Sequence, residues 1–231
     1  MKMLDFDAHI IGESPKNLLI FLHGYNGTVA DHQYALDWFE QHLRDTVLIV
    51  PHAPETSDKN PERRQWFGML KYDATNRRKQ PETSVEEIFA IYNQTATDIA
   101  HCAEQINGFI NTMQQQYHFD DAHTFLCGFS QGAMLTIYTA LTRDSELGGA
   151  FVLSGLVAGA DSLADKISAR PPLYLFHGTA DMKVQFKTLN ESEKWLKEHG
   201  ISPKITTYDG LEHRMIEQEI AEIADIINNR V

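Results

Sequence analysis

The stretch Thr124-Phe125-Leu126-Cys127-Gly128-Phe129-Ser130-Gln131-Gly132 decides the fold. An apolar run suited to a buried strand passes through Gly-x-Ser-x-Gly directly into a helical pattern. Such a strand–turn–helix holds its serine on a sharp, strained turn. Glycines two residues to either side keep Cβ atoms out of that turn. Ser130 Oγ is then expected at the top of a sheet, beside the amide N–H groups of a helix N-terminus. That position suits a nucleophile and the anion it generates in acyl transfer. Gly-x-Ser-x-Gly also arises by chance in loops, so the surroundings carry the decision.

Outward from this turn, short continuous apolar runs alternate with amphipathic helical stretches. Residues 18–22, 47–50, 125–127, 150–153 and 173–176 read as strands buried on both faces. Ile99, Ala103, Ile106, Ile110 and Met113 recur at helical spacing, as do Ile216, Ile220, Ile223 and Ile227. Further helices are expected near 30–43, 131–141 and 187–199, and Ile205–Tyr208 alternates like a late, partly exposed strand. The succession predicts an α/β protein: a mostly parallel central sheet with helices on both faces, one domain over 1–231.

The irregular stretch is 51–84, longer than a plain connection, and loops of this length in compact domains are often lids or functional inserts. Trp66, Phe67, Met69, Leu70 and Tyr72 interrupt its polarity. They read as the lining of an acyl pocket, as anchors of the loop to the core, or as a homodimer contact. Trp66, Phe67, Met69 and Leu156 are the pocket candidates.

The chain has 231 residues, 42% hydrophobic and 23% charged, enough for one well-buried core. No apolar run approaches the roughly 18–20 residues of a membrane span. The first residues, Met1-Lys2-Met3-Leu4-Asp5-Phe6-Asp7, place acids where a signal peptide would be apolar. A cytoplasmic protein without stable membrane insertion is expected. A formal net charge of −12 argues against nucleic acid, against anionic lipid and against anionic substrates. The short basic run Arg77-Arg78-Lys79 reads as a solvated loop. Cys127 on a strand and Cys102 in a helical pattern are expected as buried thiols of a reducing compartment. Although there are 11 histidines, no His-x-x-x-His or Cys-x-x-Cys pair points to zinc.

A serine hydroxyl needs a base, and the base needs an orienting acid. Asp181, just beyond the 173–176 strand, is the acid candidate, and Asp161, Asp165 and Asp209 compete with it. His213, between the last strand and the last helix, is the base candidate. Both should gather with Ser130 at the C-terminal ends of the strands. The order Ser130, Asp181, His213 is that of an α/β-hydrolase. The oxyanion needs preorganised donors, expected from the backbone N–H of Gln131 and of Tyr25, with Gly24 admitting a close approach. His23, His52 and His177 read as structural groups bonded to loop carbonyls, His23 also having a claim to shape the site.

These residues resemble the phospholipase/carboxylesterase family of α/β-hydrolases, which includes acyl-protein thioesterases and lysophospholipases. The resemblance runs from about residue 17 to the C-terminus. It rests on Phe21-Leu22-His23-Gly24, Pro51-His52-Ala53-Pro54, Trp66-Phe67, Gly128-Phe129-Ser130-Gln131-Gly132-Ala133, His177-Gly178 with Asp181 and Val184, and Gly210 with His213. It implies a serine esterase without metal or organic cofactor, the triad Ser130, Asp181 and His213, and oxyanion donors at Tyr25 and Gln131. The chain departs from the family pattern at Tyr25-Asn26-Gly27, at Gly68 after Trp66-Phe67, and at Gln185 after Val184. The expected activity is hydrolysis of carboxylic esters or thioesters with uncharged short- to medium-chain acyl groups. The substrate would be a small ester or an acylated molecule, thioesters of acylated proteins and lysophospholipids included. A peptidase or acyltransferase on the same scaffold, and a non-catalytic binding module, are the alternatives.

Overall fold

The computed structural model describes residues 3–230. Its frame is a seven-stranded sheet, to which each apolar run of the sequence contributes a strand. The first half supplies β1 (Phe6–Ile11), β2 (Asn17–Leu22), α1 (Gln33–His42) and β3 (Thr46–Pro51). Two short strands, β4 (Glu55–Thr56) and β5 (Arg64–Gln65), follow, then α2 (Val85–Asn93) and α3 (Ala96–Tyr117). The second half runs β6 (Thr124–Phe129), α4 (Gln131–Leu141), β7 (Gly149–Leu153), α5 (Ala160–Leu163), β8 (Leu173–Gly178), α6 (Thr188–Glu198), β9 (Lys204–Tyr208) and α7 (Glu217–Asn228).

The strand order is β1-β3-β2-β6-β7-β8-β9, parallel throughout except that β1 pairs antiparallel with β3. β1 was not among the expected strands. Its half-exposed pattern, with Ile10 open to solvent, lacks the apolar run that marks the central strands. α2 was also not anticipated; Ser84 opens it by accepting the Glu87 N–H at 3.2 Å.

Alternation along β2 shows how both faces are covered. Leu18, Ile20 and Leu22 pack into the core under α3 and α4, whereas Leu19 and Phe21 pack under α1 and α7. At roughly 25 cal/mol per Å² of apolar surface removed from water, these two layers are the main stabilising term.

The chain leaves β2 toward β3 on one side and later returns to β6 on the other, so the sheet order reverses between β2 and β6. In such sheets the crevice beyond the C-terminal strand ends, at this reversal, is where ligands bind. α4 crosses this point at contact distance. A Cβ on Gly132 would lie 2.7 Å from His23 O and closer still to Leu22 O. Gly132→Ala is therefore expected to cost about 1–3 kcal/mol through overpacking and to lower Tm by several degrees. Gly149→Ala, whose Cβ would meet Phe125 at an ordinary 3.4 Å, is the control. Thermal melts of the two variants check this; equal melting would mean that α4 is free to move away.

Candidate active site

Ser130 sits between β6 and α4 with φ 56° and ψ −113°, a left-handed conformation that a non-glycine residue adopts at a cost of about 1–3 kcal/mol. Its neighbours hold it there. Ser130 N–H donates to Leu153 O at 2.9 Å, and Ser130 O accepts from Met134 N–H at 3.1 Å as α4 begins. A Cβ on Gly128 would fall 2.6 Å from Thr136 Oγ1 and nearer still to the Gly132 carbonyl, so both flanking glycines are sterically required.

Ser130 Oγ lies 3.0 Å from His213 Nε2, and His213 Nδ1 lies 2.7 Å from Asp181 Oδ2. Since a carboxylate only accepts, Nδ1 carries the proton and Nε2 is free to receive the Ser130 proton. Phe129 packs its ring 4.8 Å from the imidazole. Asp181 is 1% exposed, and its other oxygen accepts from the Lys183 and Val184 N–H groups at 2.8 and 3.0 Å. Burial raises its proton affinity. The His213 hydrogen bond and charge, the His177 charge and the Lys183 N–H outweigh this and leave the carboxyl below its ordinary value. Of the competing acids, Asp161 accepts from Asn93 and Asp209 from Thr179, both away from His213.

Tyr25 follows β2 and Gln131 follows Ser130, and both residues line the crevice. Among the described residues neither N–H finds a protein acceptor. The Gln131 side chain is occupied elsewhere, accepting from Trp66 N–H at 3.0 Å and donating to Phe67 O at 2.7 Å. A Cβ on Gly24 would meet Ser130 Cβ at 3.4 Å, an ordinary contact, whereas the tight crossing of α4 over the end of β2 is at Gly132.

A cavity of about 430 Å³ opens over Ser130 and His213, with Tyr25, Gln131, Met69 and Met134 in its wall. The pocket assignment of Trp66, Phe67 and Leu156 is corrected: all three are buried in the core and absent from the wall. Trp66 Nε1 donates to His23 O at 2.7 Å, and the Cys102 thiol to Trp66 O at 3.0 Å, so the 66–67 aromatics anchor the loop from within. Being interior, they also offer no surface to a second copy.

The reading of the basic run 77–79 as solvated holds at Arg77 and is corrected at the other two. Arg78 is buried in an ion pair with Asp73 at 2.5 Å, and Lys79 lines the cavity. Tyr92 and the cations Lys59, Arg63 and Lys183 were missed as wall residues. They come from segments far apart in sequence, so no local pattern marks them.

His23 is fully buried at the end of β2. Ala53 N–H donates to its Nε2 at 3.1 Å, which places the proton on Nδ1, 2.9 Å from Gly24 O. The ring joins the 24–27 turn to the 51–54 segment. His177 likewise donates to Val184 O at 2.9 Å, but His52 pairs with the Asp7 carboxylate rather than with a loop carbonyl.

A serine on a strained strand-to-helix turn, hydrogen-bonded to a histidine that an aspartate orients, defines the serine-hydrolase class on an α/β-hydrolase fold. The model of the phospholipase/carboxylesterase family matches residues 10–231, and the chain belongs to that family. It is an enzyme of the serine-hydrolase type. It is 25% identical to acyl-protein thioesterase 1 of Candida albicans, over 95% of this chain and 94% of that one. It is 26% identical to carboxylesterase SOBER1 of Arabidopsis thaliana, over 94% and 91%. The crystal structure of esterase PE8 shares the fold with a TM-score of 0.82 at 22% identity, covering 100% of both chains.

Burial, the largest influence, pushes the His23 pKa from 6.5 down to about 4, and it lowers His32 and His177 too. A group that is neutral in the fold but protonated when unfolded contributes stability that is complete above pH 6.5 and lost as pH falls toward 4. For His23 this amounts to on the order of 3 kcal/mol. His23→Gln is expected to flatten the loss of stability across that window, read from urea midpoints at successive pH values. An unchanged slope would remove His23 as a source.

Proposed function

We propose that the chain is a serine carboxylesterase that cleaves esters or thioesters of short- to medium-chain acyl groups through an acyl-enzyme. The observation that carries this is the chain of hydrogen bonds Asp181–His213–Ser130 at the floor of the cavity. Ser130 Oγ attacks the acyl carbon while His213 Nε2 takes its proton. Asp181 holds the tautomer and steadies the imidazolium. The oxyanion forms between the Tyr25 and Gln131 N–H groups, which have no other acceptor, each worth roughly 3–4 kcal/mol in the transition state. The imidazolium then protonates the departing alcohol or thiol. Water, deprotonated by His213, attacks the acyl-enzyme and releases acid and free serine.

Met69, Met134 and Phe129 supply the apolar part of the wall for the acyl chain. Relatives named acyl-protein thioesterase support thioesters as substrates beside esters, since the same groups serve either leaving atom. The two buried, unbridged thiols suit a cytoplasmic setting.

Hydrolysis of p-nitrophenyl esters of increasing chain length, with fluorophosphonate labelling of Ser130, tests the reading. Ser130→Ala is expected to lose label and to lower kcat by roughly 10⁴-fold or more with the melt preserved. Activity retained in that variant would overturn the assignment, and an unlabelled parent chain would favour a binding module. Asp181→Asn is expected to lower kcat by roughly 10⁴-fold, because the amide favours the wrong tautomer. An unchanged rate would require another orienting acid.

A further inference from the structure

Three lysines from separate segments converge on the cavity wall beside Ser130. Lys59 comes from the connection between β4 and β5, Lys79 from the turn before α2, and Lys183 from just beyond Asp181. Among the described residues, none has a carboxylate within ion-pair distance. Lys59 Nζ reaches only the Asn76 amide oxygen at 3.4 Å and the face of Tyr25, 5.4 Å from its centroid. The two arginines of the same wall differ: Arg63 pairs with Asp31 at 2.6 Å and Arg78 with Asp73 at 2.5 Å. In a chain of formal net charge −12, the wall beside Ser130 thus carries three lysines that no carboxylate neutralises.

The lysine-bearing segments are held in place. Gln185, at the position where the chain departs from the family pattern, is buried and donates its amide to Arg78 O at 2.9 Å and Gln80 O at 2.8 Å. Lys187 adds bonds to the Pro81 and Thr83 carbonyls. These contacts fix the turn carrying Lys79 against the segment carrying Lys183. On the other side, Ser57 Oγ donates to Asn26 Oδ1 at 2.9 Å and accepts from Lys59 N–H at 3.2 Å. Like charges held together repel. Burial first, then the charges of Arg78, Lys59 and Lys183, push the Lys79 amine down to about 8. A bound anion reverses both the repulsion and this displacement.

We propose that the cavity takes an ester or thioester bearing a phosphate or carboxylate group. Lys59, Lys79 and Lys183 bind that group while Ser130 attacks the acyl carbon. The inference rests on the esterase reading above and replaces the uncharged substrate expected from overall charge. The net charge of a chain governs its far field, whereas a bound group responds to charges within a few ångströms.

The test measures kcat/KM for matched thioesters, read by thiol release. S-Glutaryl- and S-pentanoyl-N-acetylcysteamine differ by a terminal carboxylate on the acyl side. S-Pentanoyl-4′-phosphopantetheine and S-pentanoylpantetheine differ by one phosphate on the leaving side. The anionic member of at least one pair is expected to be preferred by roughly tenfold or more at low ionic strength, the preference shrinking as salt is added. The pair that shows it identifies the source of the anion. In Lys59→Gln/Lys79→Gln/Lys183→Gln the ratio should fall toward one, and the corresponding triple arginine variant should keep most of it. Ratios near one in the parent chain, or a ratio unmoved by the glutamine variant, would overturn the proposal. If neutral esters are still turned over through Ser130, only the anion subsite falls. Silence on every ester and thioester removes the esterase reading and this inference together.

Discussion

The site depends on one steric constraint, the close crossing of α4 over the end of β2. Gly132 lies against the Leu22 and His23 carbonyls with no room for a side chain, and Gly128 lies against Gly132 in the same way. This double contact brings the start of α4 to the point where the sheet order reverses. Ser130, caught between, is held in a left-handed conformation that it would not keep in a free loop. The Ser130–Leu153 hydrogen bond then ties the turn to the neighbouring strand. Everything chemical is aimed from that fixed point. Tyr25 emerges from the strand that α4 crosses, Asp181 from two strands away, and His213 from the loop after the edge strand β9.

The insert 51–84 is secured by polar side chains rather than by long strands. Asp58 accepts the Met69 and Leu70 N–H groups at 2.8 Å each and receives the Tyr25 hydroxyl. Gly27 and Arg64 exchange backbone bonds, and Asn26 stands at φ 55° to make that turn. Gly68 leaves space beside the Asp58 carboxylate, where a Cβ would come to 3.3 Å. The three departures from the family pattern, at 25–27, 68 and 185, thus share one consequence: each shapes or straps the insert that walls the cavity.

Burial and charge then divide the titratable groups into two kinds. His23, His32 and His177 are buried and kept neutral by desolvation, and they act as hydrogen-bonding braces. Asp181 is as deeply buried yet stays ionised, because two backbone N–H groups and His213 replace its lost hydration. The same physics leaves Lys79 partly desolvated, with burial and the charges of Arg78, Lys59 and Lys183 outweighing the opposite charge of Asp73, the reverse of a brace.

Most of the fold and of the candidate site was legible in the sequence because its signals are local. Short continuous apolar runs between turn signals read as strands covered on both faces, helical periodicity marks the covering layers, and Gly-x-Ser-x-Gly encodes its own turn. Chain order after strand ends was enough to nominate Asp181 and His213, since parallel sheets collect such ends on one edge. Edge strand β1 escaped notice because a half-exposed strand carries no apolar run. Composition likewise pointed away from the positive wall of the cavity. An aromatic in a polar loop reads equally as pocket or anchor, and only the structure shows Trp66 and Phe67 turned inward, with Met69 alone of the four pocket candidates at the cavity. What the sequence determined by itself is therefore the architecture and the candidate triad, which follow from local pattern, sterics and chain order. The tertiary structure alone decided the cavity wall, because Lys59, Lys79 and Lys183 become neighbours only when three distant segments are folded onto one another.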